Sequence, residues 1–142
     1  MTKANCLRLE NQICFPLYVC SKEIIKKYKP ILDKYDLTYT QYITMMVLLE
    51  KRKINVKELG NYLFLDSGTL TPLLKKLENK GYIKRTRSLE DERNLVIEIS
   101  KKGEELKNEL FGVPEQMCKC VNLNKEEIDI LSNLLNKMLK EK

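Results

Sequence analysis

Apolar residues recur at spacings of three and four through most of the chain and alternate strictly in one stretch only. The pattern predicts a mainly α protein with one small β-hairpin. Ile13, Leu17, Ile24, Ile25, Tyr28, Ile31 and Leu32 place a first helix over about residues 9–34. Pro16 lacks a backbone N–H, so it either begins the regular part of that helix or kinks it. A turn around Asp36-Leu37-Thr38 leads to a second helix over residues 39–51, whose nearly continuous apolar run predicts burial on most sides. Asn55 is placed to cap a short helix over 56–63, with Glu58 in the capping-box position. Past Leu65, Asp66 or Ser67 can cap the next helix, whose stripe of Leu70, Leu73, Leu74 and Leu77 runs toward Gly81. Two short helices with a tight joint form a helix-turn-helix. The alternation then begins: Tyr82 to Arg87, a charged loop, and Leu95 to Ile99, a hairpin with a polar tip. Ser100 caps a further long helix toward about Cys120, bent near Gly112-Val113-Pro114. A last helix starts from Asn124, with Glu127 in the box position and Ile128, Leu131, Leu135 and Met138 on one face.

A helix-turn-helix followed directly by a hairpin is a winged helix. Its second helix enters the major groove and its hairpin tip reaches a neighbouring groove. With 142 residues the chain is one domain. About 37–100 would form the DNA-binding head, and about 1–36 and 101–142 would supply amphipathic helices that bury their stripes best against a twin chain. A two-fold homodimer would read a palindromic operator with half-sites about one helical turn apart.

Composition narrows the chemistry. Lys and Arg number 26 against 20 Asp and Glu, a formal charge of +6, which favours a polyanionic partner. Histidine is absent, removing the commonest general base and metal ligand, so the residues argue against an enzyme and call for no cofactor and no metal. No apolar run is long enough to span a membrane and the start lacks a secretory pattern, so a cytoplasmic protein without membrane partners is expected. Five cysteines (Cys6, Cys14, Cys20, Cys118, Cys120) are then reduced thiols rather than a disulfide framework.

The basic residues concentrate where the winged helix needs them. Lys75, Lys76, Lys80, Lys84, Arg85 and Arg87 face a single acid, Glu78, between residues 75 and 87. Asp66, Ser67, Thr69 and Thr71, at the start of the second helix, place small polar groups where a reading helix meets bases and phosphates. In the hairpin tip, Arg93 has the reach for a narrow minor groove, with Asp91 to hold it.

Five segments carry a resemblance: Leu9-Glu-Asn-Gln-Ile-Cys14-Phe-Pro-Leu-Tyr18, Tyr28-Lys-Pro-Ile-Leu-Asp33, Leu37-Thr-Tyr39-Thr-Gln-Tyr42, Leu65-Asp-Ser-Gly-Thr-Leu-Thr-Pro-Leu-Leu74 and Asp91-Glu-Arg93. Together they resemble the MarR family of winged-helix repressors, and within it the organic-hydroperoxide-sensing branch, OhrR. The resemblance implies that Cys14 is the redox sensor. It also implies that tyrosines matching Tyr28 and Tyr39 in the partner subunit hold the sensor sulfur, with Tyr18 shaping the pocket. Thiolate attack on a peroxide O–O bond needs neither histidine nor metal, and phenol donors stabilise the sulfur anion. Some members of that branch carry a resolving cysteine near the dimer centre, where Cys118 and Cys120 lie here. Oxidation would release the dimer from its operator and derepress a gene for organic-hydroperoxide resistance. Two other readings stand beside it: a MarR-type repressor answering a small aromatic ligand, and a thiol-based metal sensor suggested by Cys118-Lys119-Cys120.

Overall fold

The computed structural model describes residues 2–87, 89, 90 and 94–140. A short helix α1 (Lys3–Cys6) and a 3-10 turn (Leu9–Asn11) precede α2 (Cys14–Leu32). The long helix therefore begins five residues later than the apolar spacing predicts. Pro16 sits in its first turn, where a missing N–H costs no hydrogen bond, so it begins the helix and does not kink it. A 3-10 turn (Asp33–Tyr35) and Asp36 in the left-handed conformation lead to α3 (Tyr39–Lys51). Thr38 caps α3 in a reciprocal box. The Gln41 N–H donates to Thr38 Oγ1 at 3.3 Å, and the Thr38 N–H donates to Gln41 Oε1 at 3.1 Å. Burial reaches most of its sides: Tyr42, Met45 and Leu48 are buried, Ile43, Val47 and Leu49 are partly buried, and Met46 is exposed.

A three-residue strand β1 (Lys53–Asn55) follows, then α4 (Val56–Leu63) and α5 (Ser67–Asn79). Asn55 caps α4 by accepting from the Glu58 N–H at 2.8 Å. Asp66, not Ser67, caps α5, accepting from the Thr69 N–H at 2.8 Å. Strands β2 (Ile83–Arg87) and β3 (Leu95–Ile99) form the predicted hairpin, and β1 adds to its free edge in the order β1-β3-β2, all antiparallel. Ile54, Ile83, Ile97 and Ile99 share the face turned to the helices, and Lys53, Lys84 and Glu98 lie on the other.

The predicted bend resolves into two helices, α6 (Lys101–Leu110) and α7 (Gly112–Val121), meeting at Phe111. A final helix α8 (Lys125–Lys140) starts from Asn124 and Glu127, which exchange backbone-to-side-chain bonds of 2.9 Å each. One core joins α3, α4, α5, the sheet and α6, centred on Leu48, Leu59, Leu74, Leu77 and Ile97. By contrast α8 has no buried residue, and Leu131, Leu134 and Met138 on it are exposed, as are Ile13, just before α2, and Phe15 in its first turn.

Candidate DNA-reading surface and thiol site

The outward side of α5 carries Ser67, Thr69, Thr71, Lys75 and Lys76, all exposed, opposite the buried leucine stripe. Asp66 spends its carboxylate on the cap, and the N–H groups it receives hold its pKa below the ordinary carboxylate value, the Thr69 backbone bond first among them. The Thr71 hydroxyl donates to the Ser67 carbonyl at 2.8 Å, so toward any other group it acts as an acceptor. Among the described residues, neither Lys75 nor Lys76 pairs with an acid.

Arg85 has a partner within the chain. It was expected on phosphates, but its guanidinium donates to Glu78 Oε1 from Nε at 3.2 Å and from Nη2 at 3.0 Å, and its N–H donates to Glu78 Oε2 at 3.1 Å. The reason lies in the strand period. Arg85 shares a face with Ile83, and that face packs on α5, where Glu78 waits. Glu78 is in turn held ionised to lower pH by the Arg85 bonds. Arg87 ends β2 on the same face and is exposed. Asp91 and Arg93 lie outside the described residues.

Between α2 and α3 three phenols meet. The ring centroids of Tyr28 in α2 and Tyr39 in α3 are 4.8 Å apart, and Tyr42 lies 5.7 Å from Tyr28 and 6.3 Å from Tyr39. Burial pushes the Tyr28 hydroxyl up to about 12, helped by the neighbouring phenols and by Cys118, whose negative charges would oppose another. Burial also raises Tyr39 and Tyr42. Tyr42 was missed as a site residue. The i, i+3 spacing from Tyr39 on a helix already carried the signal.

Cys14 is not at this cluster. It opens α2, where negative charge is favoured, and Tyr28 follows fourteen residues later, roughly 21 Å along the axis. Tyr18 stands one turn from Cys14, with its exposed ring under Lys22 Nζ at 4.6 Å, far from Tyr28. All five cysteines are exposed in the single chain. Cys118 lies on α7, which packs on α2, and its charge adds the smallest part to the upward shift of Tyr28. The Cys120 carbonyl accepts from Lys27 Nζ at 2.9 Å. Among the described residues no three Cys, Asp or Glu side chains gather as a metal site.

Helices α3 and α5 are fastened together. Lys80, which ends α5, donates through Nζ to the Asp36 carbonyl and to Gln41 Oε1 at 3.3 Å, and pairs with the Asp36 carboxylate at 3.5 Å. Gln41 thus ties the start of α3, between Tyr39 and Tyr42, to the end of α5.

The family model for transcriptional regulators of the SarA/Rot type matches residues 26–110, from the tyrosine of α2 through the winged helix to α6. The chain belongs to the SarA/Rot family. The HTH-type transcriptional regulator SarZ of Staphylococcus haemolyticus is 50% identical over 131 residues, covering 92% of this chain and 89% of that protein. AbfR of Staphylococcus epidermidis has been solved in several states. Reduced AbfR bound to DNA is 33% identical with a TM-score of 0.80, over 99% of this chain and 98% of that one, and overoxidised AbfR bound to DNA has the same TM-score. Disulfide-formed AbfR, at 31% identity, has a TM-score of 0.67 over 96% of each chain. A mutant MarR of E. coli on operator DNA, 22% identical with a TM-score of 0.78 over 89% of this chain and 93% of that one, shares the fold. The chain is accordingly a DNA-binding transcriptional regulator with a winged helix of MarR type. No helix of the described residues is long and apolar enough to cross a membrane.

Proposed function

We propose that the protein is a redox-responsive homodimeric repressor that leaves a palindromic operator when an organic hydroperoxide oxidises Cys14. Derepression of an organic-hydroperoxide resistance gene would follow. The observation that carries this reading is the placement of the thiols. Cys14 sits roughly 21 Å along α2 from Tyr28, the first of the phenols that suit it, and Cys118 is on α7, which packs against α2. A second copy related by a two-fold axis supplies each tyrosine cluster with the other chain's Cys14. The exposed apolar faces of α2 and α8 are the material that such a dimer buries.

The chemistry then runs without a cofactor. The Cys14 thiolate attacks one peroxide oxygen, the O–O bond breaks, and the alkoxide leaves with a proton as the alcohol. The sulfur, oxidised by two electrons, becomes a sulfenic acid. The partner's Cys118 thiol displaces the sulfenic oxygen as water and closes an intersubunit disulfide. The phenols of Tyr28, Tyr39 and Tyr42 stay protonated at neutral pH and donate to the sulfur anion before it reacts. Closing the disulfide pulls on α2 and α7. The Gln41–Lys80 link carries that movement from the tyrosine helix to α5. AbfR supports two shapes for such a chain. The identity to its reduced and disulfide forms is nearly equal, yet the likeness in shape is clearly higher to the reduced form on DNA.

The test is binding to a palindromic duplex selected from random DNA, followed by fluorescence anisotropy before and after stoichiometric cumene hydroperoxide. The intact protein should lose the duplex and Cys14→Ser should keep it. If both bind and neither responds, redox sensing is wrong. A cleft of about 280 Å³ between α2 and α3, lined by Tyr28, Leu32, Leu37 and Tyr39, favours a small aromatic effector as the second reading.

A further inference from the structure

Two residues of α5 act against the helix that contains them. Pro72 is its sixth residue, past the first turn, where it cannot donate to the Gly68 carbonyl and disfavours helical geometry at Thr71. Its ring is exposed, so no burial compensates. Gly68 is the second residue, and glycine weakens a helix wherever a Cβ would fit. Here one would fit, since the nearest atom, Asp66 Oδ1, lies at 3.4 Å, an ordinary contact distance. The contrast with the chain's other glycines is plain. At Gly60 a Cβ would press the Leu65 carbonyl at 2.8 Å, at Gly103 it would strike the Tyr82 carbonyl, and Gly81 has φ +83. Only Gly112, at the joint of α6 and α7, has similar room.

Gly68 and Pro72 are one turn apart, and with Lys75 and Asn79 they form the strip directly opposite Leu70, Leu73, Leu74 and Leu77. Thr69 and Thr71 flank that strip. A helix with side chains is about 10–12 Å across and the major groove about 12 Å wide, so whatever occupies the outermost strip decides how deep the helix seats. Glycine there thins the helix. Proline there presents an apolar ring without a donor, and the apolar feature that base pairs show in the major groove is the thymine methyl. Opposed to a polar base edge, the same ring would leave a desolvated group unpaired.

We infer that Gly68 and Pro72 form an apolar reading notch, in which Gly68 lets α5 seat deeply and Pro72 selects thymine in each half-site through its 5-methyl group. This rests on α5 being the helix that docks in the major groove, and it is independent of the redox step.

The test uses full-length reduced protein and the duplex selected from random DNA. Each thymine is replaced in turn by deoxyuridine, which removes the methyl and keeps the pairing. At one thymine per half-site the intact protein should bind about fourfold more weakly per methyl lost. Pro72→Ala should fold at least as well and bind the thymine and deoxyuridine duplexes alike. Gly68→Ala should melt no lower than the parent and bind the selected duplex at least about tenfold more weakly. A flat deoxyuridine scan, or a Pro72→Ala protein that still distinguishes the two bases, overturns the methyl contact. Parent-like affinity of Gly68→Ala overturns the close approach. Lys75→Ala separates these failures from failure of the docking itself. Weakened binding by Lys75→Ala with a flat scan refutes the notch alone, whereas full binding by both Lys75→Ala and Gly68→Ala removes α5 from the interface.

Discussion

The Tyr28 hydroxyl is held as a proton donor by its surroundings, and that has a consequence in solution. An unfolded tyrosine ionises near 10, while in the fold Tyr28 keeps its proton to about 12, because burial and then the neighbouring phenols disfavour the phenolate. Between those values the native state binds the extra proton. Stability from this group is therefore complete below pH 10 and is lost as pH rises toward 12. Tyr28→Phe should flatten the fall of stability between pH 10 and 12, with Tyr39 and Tyr42 keeping some of the slope. Chemical denaturation at several alkaline pH values measures it, and curves that superimpose would show that the phenol is not held. Arg85 makes the opposite kind of case, a residue whose charge invites one role and whose strand position imposes another. Arg85→Ala should cost about 1 kcal/mol of stability through the lost partly buried pair with Glu78, yet leave the salt dependence of DNA binding unchanged. Lys75→Ala should leave stability alone and reduce the salt slope by about 1. An Arg85→Ala protein with a reduced slope would return that residue to the DNA surface.

Elements with strong local patterns are legible in the sequence itself. The spacing over residues 39–51 and 56–63 coincides with α3 and α4, and the single alternating stretch coincides with β2 and β3. What local pattern cannot contain is pairing at a distance. Strand β1 has one buried residue, Ile54, and exists because Ile97, forty-three positions on, stands opposite it. The same limit hid Glu78 as the partner of Arg85 and Gln41 as the partner of Lys80, since both links need helix and neighbour to be already packed. The proposed sensor cysteine and two of the proposed phenols are readable only through the family pattern, and Asp91 and Arg93 of that pattern fall outside the described residues. Packing between elements makes its own prediction at Gly103, in the first turn of α6. A methyl there would meet the Tyr82 carbonyl and lie 2.8 Å from Ile99 Cγ1, wedging the wing away from the helix that supports it. Gly103→Ala should destabilise by roughly 2–4 kcal/mol, although alanine is the better helix former. Thermal unfolding gives the answer, and an unchanged midpoint would mean that wing and α6 are less tightly joined than their contacts require.

For the whole molecule, the decisive question is which thiol closes on Cys14 across the dimer. Cys118 and Cys120 are two residues apart on α7, about 200° around the helix, so a single face of α7 cannot present both to α2. On the proposed reading Tyr28 marks where the partner's Cys14 arrives, and Cys118 is the α7 thiol whose charge acts on Tyr28. Cys20 shares α2 with Cys14 at six residues, nearly two turns away, and is fixed at that separation by the helix itself. Peroxide-treated protein should therefore run as a covalent dimer on a non-reducing denaturing gel. Cys14→Ser and Cys118→Ser should each abolish that band, while Cys120→Ser and Cys20→Ser should keep it. In Cys118→Ser the sulfenic acid has no resolving partner, so it should accumulate and be trapped by dimedone as a mass increase on the Cys14 peptide. Loss of the dimer band in Cys120→Ser, with retention in Cys118→Ser, would mean that the opposite face of α7 meets the partner. The tyrosine cluster would then lie away from the reacting sulfur, and its phenols would serve the aromatic-effector cleft instead.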